Sequence, residues 1–221
     1  MRVAIDRYAA LVLAWTERLN LTATRDPAAF ARDHIADSLT AVPLFRARGL
    51  DRFLDLGSGA GLPGIPLALA VPATDCLLVE ATTKKAAFLE TAVEVLGAGD
   101  RIRVAAARAE DLARDPRERG AWPAVTARAV GPLAELVELA LPLLRRGGLL
   151  VAWKAERVVD ELPAAERAAA ALGGSRPELV TPGGPALRAL LGGRRLVVVE
   201  KVRPTPPNVP RQPAARRRRP W

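Results

Sequence analysis

Residues 53–64 read FLDLGSGAGLPG, and this stretch decides the fold class. An apolar segment at 53–56 predicts a short buried strand, and four glycines follow it within eight positions, namely Gly57, Gly59, Gly61 and Gly64. Glycine loses more conformational freedom on folding than any other residue, so this density predicts a loop whose backbone approaches a ligand closely. The ligand has three candidate classes: a dinucleotide pyrophosphate, a mononucleotide phosphate, or a molecule without phosphate.

The chain downstream of the loop alternates between short apolar segments and helical periods. Strands are predicted at 53–56, 76–80, 102–105, 123–126, 149–153 and 196–201, with helices at 65–71, 83–96, 132–144 and 158–172. Strands separated by helices predict a mainly parallel sheet with helices on both faces. Such sheets bind ligands at the carboxyl ends of the strands, where the strand order reverses. We therefore expect Gly57, Glu80, residues 106–110 and Arg128 to surround one crevice.

Two helices are predicted before the sheet. Residues 3–20 carry one apolar face, and a second helix is predicted from about residue 28 into the low forties, ending near Pro43. Asp26 is a suitable N-cap for it, and Pro27 suits its first turn. We expect three parts of the chain: a helical cap at 1–48, the α/β domain at 49–202 and a tail at 203–221.

The composition favours one globular domain in a reducing compartment. The chain has 221 residues, half of them hydrophobic, and no apolar segment long enough to span a membrane. Asp6 and Arg7 lie where a signal peptide needs an apolar segment, so a cytoplasmic protein is expected. The single cysteine, Cys76, excludes an internal disulfide and is predicted to fill the core.

The positive charge is concentrated in the tail. The net charge is +9, and residues 203–221 hold six arginines and no acidic residue, which leaves 27 basic and 24 acidic residues in the rest. The tail lacks periodicity and is rich in proline and arginine, so it is predicted to be extended or disordered when free. Its charge predicts contact with a polyanion, which for a cytosolic protein means nucleic acid.

The glycine loop does not fit the two phosphate-binding patterns. A P-loop needs a lysine followed by serine or threonine, and neither follows these glycines. Gly59, Gly61 and Gly64 match the dinucleotide pattern, but this match begins two residues too far from the strand. Pro63 and Pro66 also remove backbone donors from the helix start, where a pyrophosphate would need them.

The third pattern is Asp55-x-Gly57-x-Gly59-x-Gly61, an acid at the strand end followed by alternate glycines. This spacing resembles motif I of class I S-adenosylmethionine (SAM) methyltransferases, whose cofactor has no phosphate and lies against backbone. Acidic or carbonyl groups are expected near its ammonium and sulfonium, and Asp55 is a candidate for this. Glu80, at the end of the second strand, is placed to accept hydrogen bonds from ribose hydroxyls. An acid there serves NAD enzymes equally well, so Glu80 alone does not discriminate.

Longer segments carry a more specific resemblance. They are NLT at 20–22, RDP at 25–27, HIADS at 34–38, DLGSGAGLPGIPLA at 55–68, ARAED at 107–111, TARAVGPL at 126–133 and VAWK at 151–154. Their order, and the LPGIP extension above all, resembles the ribosomal RNA small subunit methyltransferase G family, also called glucose-inhibited division protein B. The resemblance covers about residues 8–202.

The resemblance implies a fold and an activity. The fold is a doubly wound, mainly parallel, seven-stranded Rossmann-like sheet of the class I methyltransferases with an N-terminal helical cap. The activity is SAM-dependent methylation of guanine N7 in the 530 loop of 16S rRNA, with free 16S rRNA or the 30S subunit as partner. A monomer without membrane contact or metal is expected. The implied cofactor contacts are Gly57, Gly59, Leu62, Glu80, Ala109, Glu110 and Arg128.

Two departures from the family pattern lie outside these contacts. The chain begins near the middle of the usual first helix, so either the start is misassigned or the cap is smaller, and Thr83-Lys84 replaces a Gly-Lys pair. Guanine N7 carries a lone pair and no proton, so catalysis by positioning without a base is expected. Arg128, His34 and Lys154 are candidate substrate contacts. Two other functions stay open here: a small-molecule SAM methyltransferase, or a non-catalytic module that binds SAM or RNA.

Overall fold

A seven-stranded sheet runs through the computed structural model, which describes residues 1–181 and 189–221. The strands lie in the order β3-β2-β1-β4-β5-β7-β6. All neighbours are parallel except β7, which is antiparallel to both β5 and β6. The strands are β1 (Arg52–Leu56), β2 (Asp75–Val79), β3 (Ile102–Ala105), β4 (Trp122–Arg128), β5 (Leu144–Lys154), β6 (Glu178–Val180) and β7 (Arg195–Glu200).

Helices cover both faces of the sheet, as predicted for a doubly wound fold. Successive strand residues point to opposite faces, so Phe53 and Leu54 of β1 belong to different core clusters. Buried residues from the first, fourth and fifth helices cover the Phe53 face, and the seventh and eighth helices cover the Leu54 face. The helices are α1 (Arg2–Leu19), α2 (Pro27–Phe30), α3 (Val42–Ala47), α4 (Gly64–Ala70), α5 (Thr83–Leu96), α6 (Ala109–Leu112), α7 (Leu133–Ala140), α8 (Leu162–Leu172) and α9 (Pro213–Arg218).

The predicted second helix is confirmed as a helical segment, but it is not one regular α-helix and it does not end near Pro43. Asp26 does cap α2, because its side chain accepts a hydrogen bond from the Ala29 backbone N–H. The chain then passes through a π-helix (Ala31–Ala36) and a 3₁₀ helix (Leu39–Ala41) before α3. Pro43 does not end the helical segment. It occupies the first turn of α3, where its missing N–H costs no intrahelical hydrogen bond.

Several element boundaries also differ from the sequence prediction. β5 begins at Leu144, and α7 ends at Ala140, four residues before its predicted end. The strand β6 was not predicted because it has three residues, none of them buried, so it leaves no periodic apolar signal. By contrast, α5 and β3 have the predicted bounds.

The predicted extended or disordered tail is also wrong. Residues 203–221 pack against the body of the molecule and include the helix α9. The Arg119 guanidinium donates hydrogen bonds to the carbonyls of Pro206 (2.8 Å) and Val209 (2.7 Å), and Val209 is buried. Backbone carbonyls of the tail therefore find a fixed donor, which composition alone does not reveal.

Candidate active site

Two adjacent cavities open at the carboxyl ends of the strands. The chain leaves β1 toward one face and β4 toward the other, so a crevice forms between these neighbours, as predicted. The larger cavity has a volume of about 400 Å³ and the smaller one about 140 Å³, and Gly57 lines both. The predicted residues His34, Gly57, Gly59, Leu62, Glu80 and Arg128 line the larger cavity, and Gly57, Ala109 and Glu110 line the smaller one.

Gly57 sits in a backbone cradle that a side chain would fill. Its φ is +66°, and a Cβ atom placed there would lie 2.9 Å from Cγ2 of Val130. The loop is held by its own backbone, since the carbonyl of Ser58 accepts hydrogen bonds from the N–H groups of Gly61 (2.7 Å) and Leu62 (3.0 Å). A ligand that spans the two cavities must therefore pass against bare backbone, which fits the extended SAM molecule.

Glu80 ties the glycine loop to the end of β2. One carboxylate oxygen accepts a hydrogen bond from the Gly59 N–H (2.9 Å), and the other accepts one from the Thr82 N–H (2.8 Å). A carboxylate has about four lone-pair sites, so each oxygen retains capacity for a further donor. Glu80 thus has the position and the acceptor capacity to receive ribose hydroxyls.

Asp55 does not reach either cavity, which corrects its predicted place near the cofactor. Its side chain is fully buried, and one oxygen accepts a hydrogen bond from the Thr126 hydroxyl (2.6 Å). The other oxygen has no hydrogen-bond partner among the described residues. Burial raises the pKa of Asp55 to about 6, against hydrogen bonds that lower it. This acid belongs to the interior beneath the loop.

Arg128 joins three segments at the wall of the larger cavity. Its Nη1 lies 3.3 Å from Oδ2 of Asp37, and its Nη2 lies 3.2 Å from Nδ1 of His34. Asp37 is buried, and its backbone carbonyl accepts a hydrogen bond from the Trp153 indole (2.8 Å). The guanidinium has five N–H donors, so donors remain for a ligand after these two contacts.

His34 is neutral in this arrangement. A guanidinium only donates hydrogen bonds, so Nδ1 of His34 accepts from Arg128 and Nε2 carries the hydrogen. Nε2 lies 3.0 Å from the hydroxyls of both Thr22 and Thr24. Burial, and then the charge of Arg128, lower the pKa of His34 to about 4. The ring is therefore a fixed neutral wall of the cavity with both nitrogens in use.

The smaller cavity has apolar walls suited to a flat heterocycle. Val79, Val130 and Leu139 line it, together with the start of α6 at Ala109 and Glu110. The Glu110 carboxylate turns away toward the tail, where Nη2 of Arg216 lies 2.5 Å from its Oε1. The Glu110 side chain therefore has a structural partner outside the residues that line this cavity.

Comparison with known proteins places the chain in a family. A profile of the family described as rRNA small subunit methyltransferase G matches residues 2–185. Proteins named Ribosomal RNA small subunit methyltransferase G are 42% identical in Chloroflexus aggregans (97% of this chain, 88% of that protein) and 44% identical in Roseiflexus castenholzii (93% and 85%). The chain belongs to this family.

Membership of the methyltransferase G family confirms the predicted family, the methyltransferase class and the SAM cofactor. Solved structures agree on the fold. An O-methyltransferase from Bacillus cereus, solved with SAH, superimposes with a TM-score of 0.61 at 17% identity, over 89% of this chain and 90% of that one. A SAM-dependent O-methyltransferase from Thermotoga maritima gives 0.57 at 17% identity, over 88% and 72%.

The structure does not bring Lys154 to the cavities of this methyltransferase. Its Nζ donates hydrogen bonds to the Gly131 carbonyl (2.8 Å) and to a Glu161 carboxylate oxygen (2.7 Å). The ammonium is thus used to hold the chain after β4, which argues against the predicted substrate contact. Cys76 is buried, as predicted, and Trp153 is buried as well.

Sequence reasoning did not assign Lys85 and Arg194 to the cavity of this family member, or Asp37 to the position behind Arg128. Lys85 and Arg194 line the larger cavity, and Asp37 anchors Arg128 behind it. Asp37 lies within the HIADS segment quoted above. The resemblance drew attention to this segment but did not indicate that Asp37 anchors Arg128. Among the described residues, no cluster of three or more His, Cys, Asp or Glu side chains could hold a metal ion. No described helix is both long and apolar enough to cross a membrane.

Proposed function

We propose that this chain transfers the methyl group of SAM to N7 of one guanine in the 530 loop of 16S rRNA. The observation that carries the choice of N7 is the state of the titratable groups that line the larger cavity. Among the described residues these are Asp33, His34, Glu80 and the three cations Lys85, Arg128 and Arg194.

Each potential base of the cavity already accepts a hydrogen bond from another protein group. Both oxygens of Asp33 accept hydrogen bonds from Arg32 at 2.8 Å, and this contact lowers the pKa of Asp33. The Nδ1 lone pair of His34 accepts from Arg128, and Glu80 accepts from two backbone N–H groups. Methylation of an amine or a hydroxyl releases a proton, whereas guanine N7 carries a free lone pair and no proton. The cavity therefore suits N7.

The proposed cofactor position uses both cavities. Glu80 would accept hydrogen bonds from the ribose hydroxyls, and the adenine would enter the apolar cavity beside Ala109 and Glu110. The remaining N–H donors of Arg128 would bind the SAM carboxylate, since guanidinium and carboxylate match as a bidentate pair. Gly57 and Leu62 would flank the molecule where it crosses from one cavity to the other. These contacts orient the methyl group toward the larger cavity.

Bound SAM supplies an electrophilic methyl group on a sulfonium. The chain then contributes orientation of the two reactants and a fixed electrostatic environment, which are the terms that an in-line displacement needs. Lys85 and Arg194 give the cavity a positive rim, and cations of this kind position an RNA backbone through its phosphates. Arg128 and the neutral His34 form the wall against which the guanine would be placed.

The test uses labelled SAM and 16S rRNA or 30S subunits that lack the modification. We expect label on one guanine of the 530 loop. RNA with 7-deazaguanine at that position has carbon in place of N7, so it should bind and accept no methyl group. Methylation of the 7-deaza RNA would exclude N7 as the acceptor. Label on a small metabolite and on no RNA would instead support the small-molecule alternative.

A further inference from the structure

The tail of the molecule reaches the walls of the smaller cavity through one buried arginine. Arg216 of α9 is 8% exposed, and its guanidinium contacts two carboxylates. Nη2 lies 2.5 Å from Oε1 of Glu110, and Nε lies 2.9 Å from Oε1 of Glu135. Its Nη1 donates to the Arg211 carbonyl at 2.7 Å. The side chain is thus held on three sides.

The two carboxylates belong to the two sides of that cavity. Glu110 is the second residue of α6, whose start lines the cavity. Glu135 lies in the first turn of α7, a few residues after Val130, and Leu139 of the same helix also lines the cavity. One guanidinium therefore bridges α6 and α7, the two helices that contribute Ala109, Glu110 and Leu139 to the wall of this cavity.

The ion pair matters because Glu110 is buried. Burial is the largest single influence and would raise the pKa of Glu110, but the hydrogen bond from Arg216, a backbone hydrogen bond and the charges of Arg216 and Arg108 together outweigh it, so the pKa lies below its usual value. A buried carboxylate that loses its partner must find another donor or move toward water, and such uncompensated charges are strongly unfavourable. Loss of Arg216 would therefore displace the start of α6.

The tail has a second attachment that does not involve Arg216. The Arg211 guanidinium contacts the buried carboxylate of Glu138, with Nη2 at 2.6 Å from Oε2. The Trp221 indole donates to the same carboxylate (2.6 Å) and lies under the Arg211 guanidinium, 4.7 Å from it. The tail can therefore stay bound to the body of the protein when Arg216 is replaced. A change in cofactor affinity would then report the loss of the Arg216 contacts and not the detachment of the tail.

We propose that Arg216 is a positioning residue for the cofactor, and that it shapes the adenine cavity by holding Glu110 and Glu135 in place. This inference rests on the proposed function only in assigning the adenine to this cavity. The basic tail thereby has a role toward SAM in addition to any role toward RNA.

The test compares Arg216→Met with the wild-type chain by calorimetric titration of SAM and of adenosine. We expect the dissociation constants of both ligands to rise about tenfold, as is typical for the loss of a coupled buried contact. The KM for SAM should rise similarly, while kcat at saturating SAM and the KM for RNA stay unchanged. Arg216→Lys keeps the positive charge but not the several N–H donors of the guanidinium. Its dissociation constants for SAM and adenosine should lie between those of the wild type and Arg216→Met.

The control is Arg176→Met, which removes another arginine ion pair (2.9 Å to Glu166) that is exposed and lies outside both cavities. It should leave the SAM and adenosine affinities unchanged. If Arg216→Met does not fold, the double variant Glu110→Gln/Arg216→Met removes the unpaired charge. We expect this double variant to fold and still to bind adenosine more weakly than the wild type.

The outcomes separate this inference from the proposed function. Wild-type protein that fails to bind SAM would overturn the proposed function. Wild-type protein that binds SAM, together with Arg216→Met or its Glu110→Gln double variant within about twofold in affinity, would overturn only the positioning role. A fall in melting temperature with unchanged adenosine affinity would likewise reduce Arg216 to a structural contact.

Discussion

Substitution of Gly57 by alanine tests the glycine cradle directly. The new methyl group would lie 2.9 Å from Cγ2 of Val130, at the one position that lines both cavities. Gly57 also has a φ of +66°, a left-handed conformation that costs an L-residue roughly 1–2 kcal/mol. The variant therefore suffers two separate effects, one on folding and one on binding.

The two effects have different expected sizes. Val130 is partly exposed, so its side chain can yield, and the free energy of unfolding should fall mainly by the backbone cost of about 1–2 kcal/mol. The bound cofactor, unlike the Val130 side chain, cannot move aside without losing its own contacts. A methyl group forced into a filled site costs about 1–3 kcal/mol, which corresponds to a roughly 5- to 160-fold rise in the SAM dissociation constant.

Gly97→Ala is the matched control for this experiment. Gly97 ends α5 with a φ of +61°, and a Cβ atom there would meet nothing within 4 Å. Urea unfolding should show similar losses of stability for both variants, while calorimetry should show weakened SAM binding for Gly57→Ala alone. Equal SAM affinities in the two variants would refute the cradle and mean that the cofactor lies elsewhere.

Three further predictions concern charge. The folded pKa of Asp55 is raised to about 6, so its contribution to stability is complete below its unfolded pKa of about 4 and is lost as the pH rises through 6. Asp55→Asn should remove that loss, and a pH series of unfolding free energies that matches the wild type would contradict this. Arg128→Met should raise the SAM dissociation constant and lower stability, because it leaves Asp37 buried without its cation; calorimetry that shows unchanged SAM binding would exclude the carboxylate contact. Alanine at the three exposed arginines of residues 217–219 should reduce the slope of log RNA affinity against log salt by about 2, at roughly 0.7 per phosphate of single-stranded RNA; an unchanged slope would show that the tail does not contact RNA phosphates.

The sheet was predictable because its signals are local. The strand at 53–56, the glycines after it and the helical period of α5 each reflect a few neighbouring residues, and the rule for parallel sheets then brings Gly57, Glu80 and Arg128 to one edge. The resemblance to the methyltransferase G family supplied the assignment of Ala109 and Glu110. The sequence predicts one crevice for these residues, and the structure shows two adjacent cavities there.

The parts that could not be predicted depend on distant partners. The π-helix that carries His34 has no composition signal, and its geometry becomes intelligible only with Arg128, which lies 94 residues further along. The tail was interpreted from charge, but Arg216 meets Glu110 across 106 residues. A sequence shows that both charges exist, and it does not show that they are buried together.

The contact between Arg128, His34 and Asp37 has a consequence for the RNA. Because this wall joins a π-helix to β4, and the Trp153 indole joins it to β5, the protein side of the cleft is already ordered before any substrate arrives. A rigid cleft leaves the deformation to the nucleic acid, so under the proposed function the guanine would have to unstack and turn out to present its N7 edge. Selectivity among guanines is then expected to follow the free energy needed to unstack each base. That free energy is set by the structure of the RNA and not by the protein.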